Sequence, residues 1–409
     1  MAHAQVRRPS TSAEALDEPG NGFDPRRNRH LAAARYAVLV AAAYVLFAWI
    51  APASVHAESI VVGQTLSLTG PSPRVAQDLL RGRQACADWI NAQGGIRGQS
   101  LKIVTRDDRN DPALAVKQAQ ELVDREGAVA FFGSMGPSVN AAVLDWANAQ
   151  GMAVLGPYGG DIENRTRRYD TAYFLTANQS AEAERLALHV ASLGMNRVVI
   201  VHSSDPAGRA ALTALEEGLG GTNVAAIALI AAKPDGSDAA TVAQSVSKAK
   251  AQAVLLATSG RATIALLQSL TAASSSGLNL LQIYGLSSAA SQAELIELGA
   301  RARGFAMSQV VPLPRDTRIP VVLAFHSAMR GIPGERTYAE LEGCMASLLL
   351  GEVLRRKPVT SNRAAILQAM RSTGRVNLGG FEIDLNDRTR PGSQYTDIVY
   401  IGFEGKITR

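Results

Sequence analysis

Short apolar runs alternate with amphipathic stretches along most of this chain, and that alternation constrains its fold more than any other feature. Residues 59–67 (SIVVGQTLS) read as a strand, and residues 75–92 as a helix with Leu79, Leu80, Ala85, Cys86, Trp89 and Ile90 at helical spacing. Gly94-Gly95 ends this helix, where positive φ is wanted. A second strand covers 101–106, and Asp111-Pro112 opens a helix to about residue 125, Asp as the cap and Pro in the first turn. A strand over 128–132, a helix over 138–150 and a strand over 153–155 complete the first block. The rhythm restarts after 173–176. Helices over 181–193, 207–218, 239–250 and 263–273 then interleave with strands over 197–202, 224–229, 253–257 and 282–284. Strand-helix alternation with short Gly-bearing links predicts an α/β fold with parallel sheets covered on both faces. Two blocks predict two similar lobes, each a doubly wound parallel sheet.

Beyond about residue 310 the rhythm changes. Pro312, Pro314 and Pro320 make an irregular connection, followed by helices over 321–331, 338–356 and 363–372 and by strands over 381–385 and 396–403. Residues 272–277 (AASSSG) read as a loop within a lobe, not as a linker between lobes. A length of 409 residues suits two lobes behind a leader.

The leader is the clearest compositional signal. Arg26, Arg27, Arg29 and Arg35 precede a 15-residue apolar run, 36–50, which Ala51-Pro52 breaks, and Val55-His56-Ala57 offers small residues at −3 and −1 of a cut after Ala57. This is the pattern of a secretory signal peptide over 1–57 with a long n-region. The alternative is an uncleaved anchor over 31–51. No Cys follows the apolar run, so no lipid-anchored start is expected, and Arg7-Arg8 lies far from it.

The whole chain carries +5, and the leader holds six Arg and four acids, leaving 35 basic against 32 acidic side chains. So small a surplus, with no basic stripe, gives no footprint for nucleic acid. Cys86 and Cys344 are too few for a disulfide scaffold; the preferred reading is two buried, inert thiols, a single bond between them the alternative.

In open α/β sheets, ligands bind beyond the carboxyl ends of the strands. The six post-strand loops are small and polar: Leu68 to Pro71, Gly133 to Ser138, Gly156 to Asp161, Ser203 to Pro206, Thr258 to Arg261 and Gly285 to Ser288. Each alone reads as a tight turn with a helix cap; six at corresponding points point to a cleft. The motifs of dinucleotide, nucleotide-phosphate and serine-hydrolase sites are absent. Beyond the leader, the histidines His189, His202 and His326 fall in three segments without ligand spacing. Asp107-Asp108 with Asp111 reads as a solvated turn. No catalytic residue, metal or cofactor is expected.

Val61-Val62-Gly63 with Leu68-Thr69-Gly70-Pro71, the run from Trp89 to Gly98 (WINAQGGIRG), Asp107-Asp108 with Asp111-Pro112, Gly156-Pro157 and the helix opening at Tyr338 resemble the leucine/isoleucine/valine-binding protein family. These are the type I periplasmic substrate-binding proteins of branched-chain amino-acid-type ABC transporters. The resemblance covers nearly all of 58–409. It implies a type I periplasmic-binding-protein fold whose lobes are joined by a three-segment hinge, with crossings near Thr176, near Val310 and over 378–384. The lobes would be 58–176 plus 311–384 and 177–310 plus 385–409. It implies an extracytoplasmic solute-binding protein that closes on a small polar or amino-acid-like solute and delivers it to ABC-transporter permease subunits. A membrane-anchored ligand sensor of the same fold is the alternative.

The ligand-binding positions implied are Ser134, Met135, Pro137, Ser138, Tyr158, Gly159, Gly160, Ser204, Asp205, Ala207, Ser259 and Ser287. At several of them the chain departs from the family. The usual Thr after the fourth strand is replaced within Tyr158-Gly159-Gly160, the usual Tyr-Gly reads Ala207-Gly208, and an aromatic position falls near Ser259. The Glu that pairs with the ammonium falls near Ser287. A buried ammonium without a carboxylate is costly, so the expected ligand is not a free branched-chain α-amino acid. It is instead an amino-acid derivative, an amide or an aromatic acid, with Tyr158 stacking on a planar group and Arg261 or Arg74 meeting an acid.

Overall fold

The computed structural model describes residues 59–70, 73–160, 169–274, 281–356, 362–387, 390–402 and 405–408. The leader, its cut after Ala57 and the alternative anchor over 31–51 lie outside the described residues, as do Pro71, residue 161 and 275–277 of the loop readings.

The first block folds with the four strands and three helices read from sequence and one further strand. β1 (Ile60–Leu66) is the second strand of a five-stranded parallel sheet ordered β2-β1-β3-β4-β5, with β2 (Leu101–Asp107), β3 (Ala130–Phe132), β4 (Val154–Leu155) and β5 (Ala172–Tyr173). Ile60 stands opposite Leu101 and Leu66 opposite Asp107, so both strands end together. Helices α1 (Pro73–Ala92), α2 (Pro112–Glu126) and α3 (Pro137–Ala149) connect them. Local chemistry fixes the helix ends. Asp111 caps α2 by accepting from the Ala113 and Leu114 N–H groups, and Gly127 stops it at φ 71°.

The second block builds a seven-stranded sheet ordered β14-β13-β10-β9-β8-β6-β7. Its strands are β6 (Val198–Ser203), β7 (Ala226–Ala232), β8 (Ala253–Ala257), β9 (Gln282–Gly285), β10 (Phe305–Gln309), β13 (Asp397–Ile401) and β14 (Ile407–Thr408). β6 to β10 run parallel, whereas β13 is antiparallel to β10 and β14 to β13. Its helices are α4 (Gln179–Ser192), α5 (Pro206–Gly220), α6 (Ala239–Lys248), α7 (Gly260–Ser274) and α8 (Gln292–Leu298). A buried apolar cluster lies on each face, one containing Val199, Val254 and Leu256, the other Val198, Ile200 and Leu255. Alternate residues of one strand face opposite sides, so a near-continuous apolar run marks a strand buried on both faces.

The sequence reading missed β5, α8, β10 and β14, and the short strand over 375–377. β10 reads FAMSQ, and its polar Ser308 and Gln309 hide the strand, yet all five residues are buried.

The chain then returns to the first sheet. α9 (Pro320–Ala328), α10 (Tyr338–Arg356), α11 (Arg363–Thr373) and the hairpin of β11 (Arg375–Asn377) and β12 (Glu382–Asp384) follow. α9, α10, α11 and the hairpin share the apolar cluster of α1 and β1. α1 and α10 pack through glycines: a Cβ at Gly82 would stand 1.9 Å from the Glu340 carbonyl oxygen, and one at Gly343 2.5 Å from that of Leu79. The same two helices carry the cysteines. Cys86 and Cys344 are joined by a disulfide, Cα atoms 5.2 Å apart across 258 residues of sequence. This corrects the reading of two free thiols: both are buried and apolar in surroundings, but helix packing brings them into bonding reach.

Candidate functional site

The post-strand loops of the two sheets meet. After β3, Gly133 leads into Ser134-Met135-Gly136, and after β4, Gly156 leads into Pro157-Tyr158-Gly159-Gly160. A Cβ at Gly133 would lie 2.2 Å from Pro157 Cα, so these loops touch only because Gly133 has no side chain. Met135 and Tyr158 extend the parallel pairing by one bridge. From the second sheet come Asp205, whose carboxylate accepts the Gly208 N–H at 2.8 Å and caps α5, then Thr258-Ser259-Gly260 and Leu286-Ser287-Ser288. Together the loops line a cleft of about 650 Å³, within the usual range for small-molecule sites.

Of the twelve positions read from sequence, Met135, Pro137, Tyr158, Gly159, Gly160, Asp205, Ala207, Ser259 and Ser287 line this cleft. Ser134 does not: it is buried and its hydroxyl is hydrogen-bonded to Thr65 Oγ1 at 2.7 Å. Ser138 and Ser204 are exposed and outside the lining. Arg261 lines the cleft, whereas Arg74 is ion-paired with Glu297.

A narrower space sharing Tyr158, Gly159, Gly160 and Ser287 with the cleft reaches inward, and its walls add Asp78, Glu182 and Glu342. None of the three was singled out by sequence. They sit on α1, α4 and α10, where a Glu or Asp in an amphipathic helix ordinarily marks the solvated face. Glu182 Oε2 accepts the Ser287 N–H at 2.8 Å and the Ser308 hydroxyl at 2.6 Å. The loop at Ser287 therefore lacks its own carboxylate but is backed by one from α4. This corrects the expectation that no carboxyl group stands there.

Charge is concentrated at this inner end. Burial raises the Tyr158 hydroxyl above its ordinary range, and Glu342, Asp78 and Glu182 push it further in that direction. Burial likewise raises Asp78 against the lowering pull of Arg81 and Thr337. Beneath the floor, the fully buried Arg83 donates to Gln64 Oε1 at 2.7 Å and to the Gly156 carbonyl at 3.2 Å, and lies 5.4 Å from the centre of the Phe132 ring. Burial lowers it to about 10, opposed by the Glu342 carboxylate. Arg83 thus holds the Gly156 turn, and with it the loop that carries Tyr158.

Two α/β lobes with a cleft between facing strand-end loops define a type I periplasmic binding protein. Residues 59–406 match the periplasmic binding protein family, and the chain belongs to it. The Leu/Ile/Val-binding protein of Escherichia coli strain K12 is 30% identical over 172 residues, 41% of this chain and 46% of that protein. The chain thus spans about half the length of the relatives of this kind that it matches. The extracellular ligand-binding receptor of Verminephrobacter eiseniae ef01-2 is similar over 86% of this chain and all of its own, with TM-score 0.78 and 26% identity. A solute-binding protein of R. palustris, solved in complex with benzoate, shares the fold at TM-score 0.70 and 16% identity, covering 86% of this chain and 97% of that one.

Proposed function

We propose that this chain is an extracytoplasmic solute-binding protein that captures a small polar solute between its lobes and passes it to the permease subunits of an ABC importer. The observation that carries this reading is the cleft. Loops from two separate sheets face one another across about 650 Å³, so a solute held by one rim is covered when the other closes. The crossings near Thr176, near Val310 and over 378–384 would serve as the hinge between lobes 58–176 plus 311–384 and 177–310 plus 385–409.

Export to the periplasm through the leader over 1–57 accords with the Cys86–Cys344 bond, since structural disulfides persist in oxidising compartments. Related proteins are named for leucine, isoleucine and valine or were solved with benzoate, which supports a small organic solute here.

The test is native mass spectrometry of residues 58–409 purified from the native host. One small molecule per chain, released on denaturation, is expected. A chain that carries none, and whose melting temperature no small organic solute raises, would overturn the reading.

A further inference from the structure

The cleft has a charge of its own. Among its described lining residues stand six carboxyl groups, Asp78, Glu182 and Glu342 inside and Asp205, Asp235 and Glu294 outside, against the single guanidinium of Arg261. The chain beyond the leader has a small positive surplus, so this bias belongs to the site. The outer three are held by local donors: Asp205 by the Gly208 N–H, Asp235 by the Ser237 N–H and Glu294 by the Ser291 capping box. At the inner end Arg81 is shared between Asp78 and Glu340, and the Glu342 charge favours the charged form of Arg83. The groups that hold Glu182 in place include the neutral donors of Ser287 and Ser308.

A separate observation points the same way. Gln179, one turn before Glu182 on α4, lines the cleft and is only 7% exposed. Its Oε1 has no hydrogen-bond partner among the described residues. A buried acceptor left unpaired is costly, and a donor that arrives with the solute removes the cost. Gly160 leaves the approach open: a Cβ there would lie 2.9 Å from Gln179 Cγ and 3.2 Å from Glu182 Oε1.

We infer that the inner end of the cleft takes a positively charged nitrogen, so that the solute is an organic cation, an amine or amidine carrying net positive charge. Several N–H donors on one cationic group give Gln179 Oε1 a partner and add a charge-assisted contact to the Glu182 carboxyl group beside it. The surplus of carboxyl groups that remains at the cleft after Arg81, Arg83 and Arg261 are counted raises the local concentration of such a solute and disfavours carboxylic acids. This inference rests on the solute-binding reading and names its solute class. It replaces the aromatic acid among the expected ligands.

The test uses residues 58–409 and a bacterial small-molecule extract divided by ion exchange into cationic, anionic and net-neutral fractions. Melting temperature is measured with each fraction at low salt. The cationic fraction is expected to raise it, and the rise to shrink as salt is added. Glu182→Gln, or Gly160→Ala, which sets a methyl group against Glu182 Oε1 and the Gln179 side chain, is expected to lower affinity for the active cation at least tenfold. Glu342→Gln serves if Glu182→Gln alone melts far below the parent. A rise with the anionic or neutral fraction only would overturn the cation inference and leave solute binding standing. A rise with no fraction would overturn both. A cation effect undiminished in all folded variants would overturn the placement at the inner end.

Discussion

Arg74 on α1 and Glu297 on α8 form an ion pair that joins the helix layer of the first sheet to that of the second. Both side chains are more than half exposed. Exposed pairs contribute about 0–1 kcal/mol, so Arg74→Ala is expected to change solute affinity by no more than about fivefold, with most of that difference lost in high salt. Calorimetry on the parent and variant at two salt concentrations checks this. A larger, salt-independent loss would make Arg74 a direct ligand.

The Cys86–Cys344 bond closes a loop of 258 residues in sequence separation. Long loops lose the most denatured-state entropy on cross-linking, and a stabilisation of about 2–5 kcal/mol is expected. Urea unfolding with and without reductant should show that loss while leaving the far-ultraviolet circular dichroism of the folded chain unchanged.

Gly82 and Gly343 let α1 and α10 approach closely. The atoms met at Gly82 are backbone, the Glu340 carbonyl group and Cα, so no rotamer relieves the clash. Gly82→Ala is expected to cost about 3 kcal/mol, the upper end for overpacking, read as a lowered urea midpoint. Gly94→Ala, an equally simple change but in open space at φ 92°, is expected to cost about 1 kcal/mol, through backbone strain alone.

His189 has a lowered pKa, chiefly from burial and then from the Arg185 charge, and it is hydrogen-bonded to the Tyr400 hydroxyl at 2.8 Å beside the Tyr284 ring. With the folded value below the unfolded one, the unfolded chain binds more protons in the interval between them, so stability rises with pH there. The contribution is complete above the ordinary histidine value of about 6.5 and is lost as pH falls through the folded value. Melting curves from pH 8 to pH 5 should fall, and His189→Gln should flatten part of that slope.

These outcomes also mark how far the sequence could be read. β1 opens on an apolar run and β8 is apolar throughout, both buried on both faces, and Asp111-Pro112 is a helix start written in two residues, so all three were legible. β10 was not, because Ser308 and Gln309 are polar yet buried, Ser308 paired with Glu182. The disulfide joins helices that only the folded topology brings together. At the site, the loops around Tyr158 and Ser287 were legible because turns need small residues. Glu182, Gln179 and Asp78 were not, because their role comes from which helix face ends up beneath the opposite rim.

The most direct test of the central claim is small-angle X-ray scattering of residues 58–409, first stripped of solute and then saturated with the molecule recovered from the native host. Closure of two lobes over a filled cleft predicts a smaller radius of gyration on binding. Stoichiometric binding with an unchanged radius would contradict capture between the lobes.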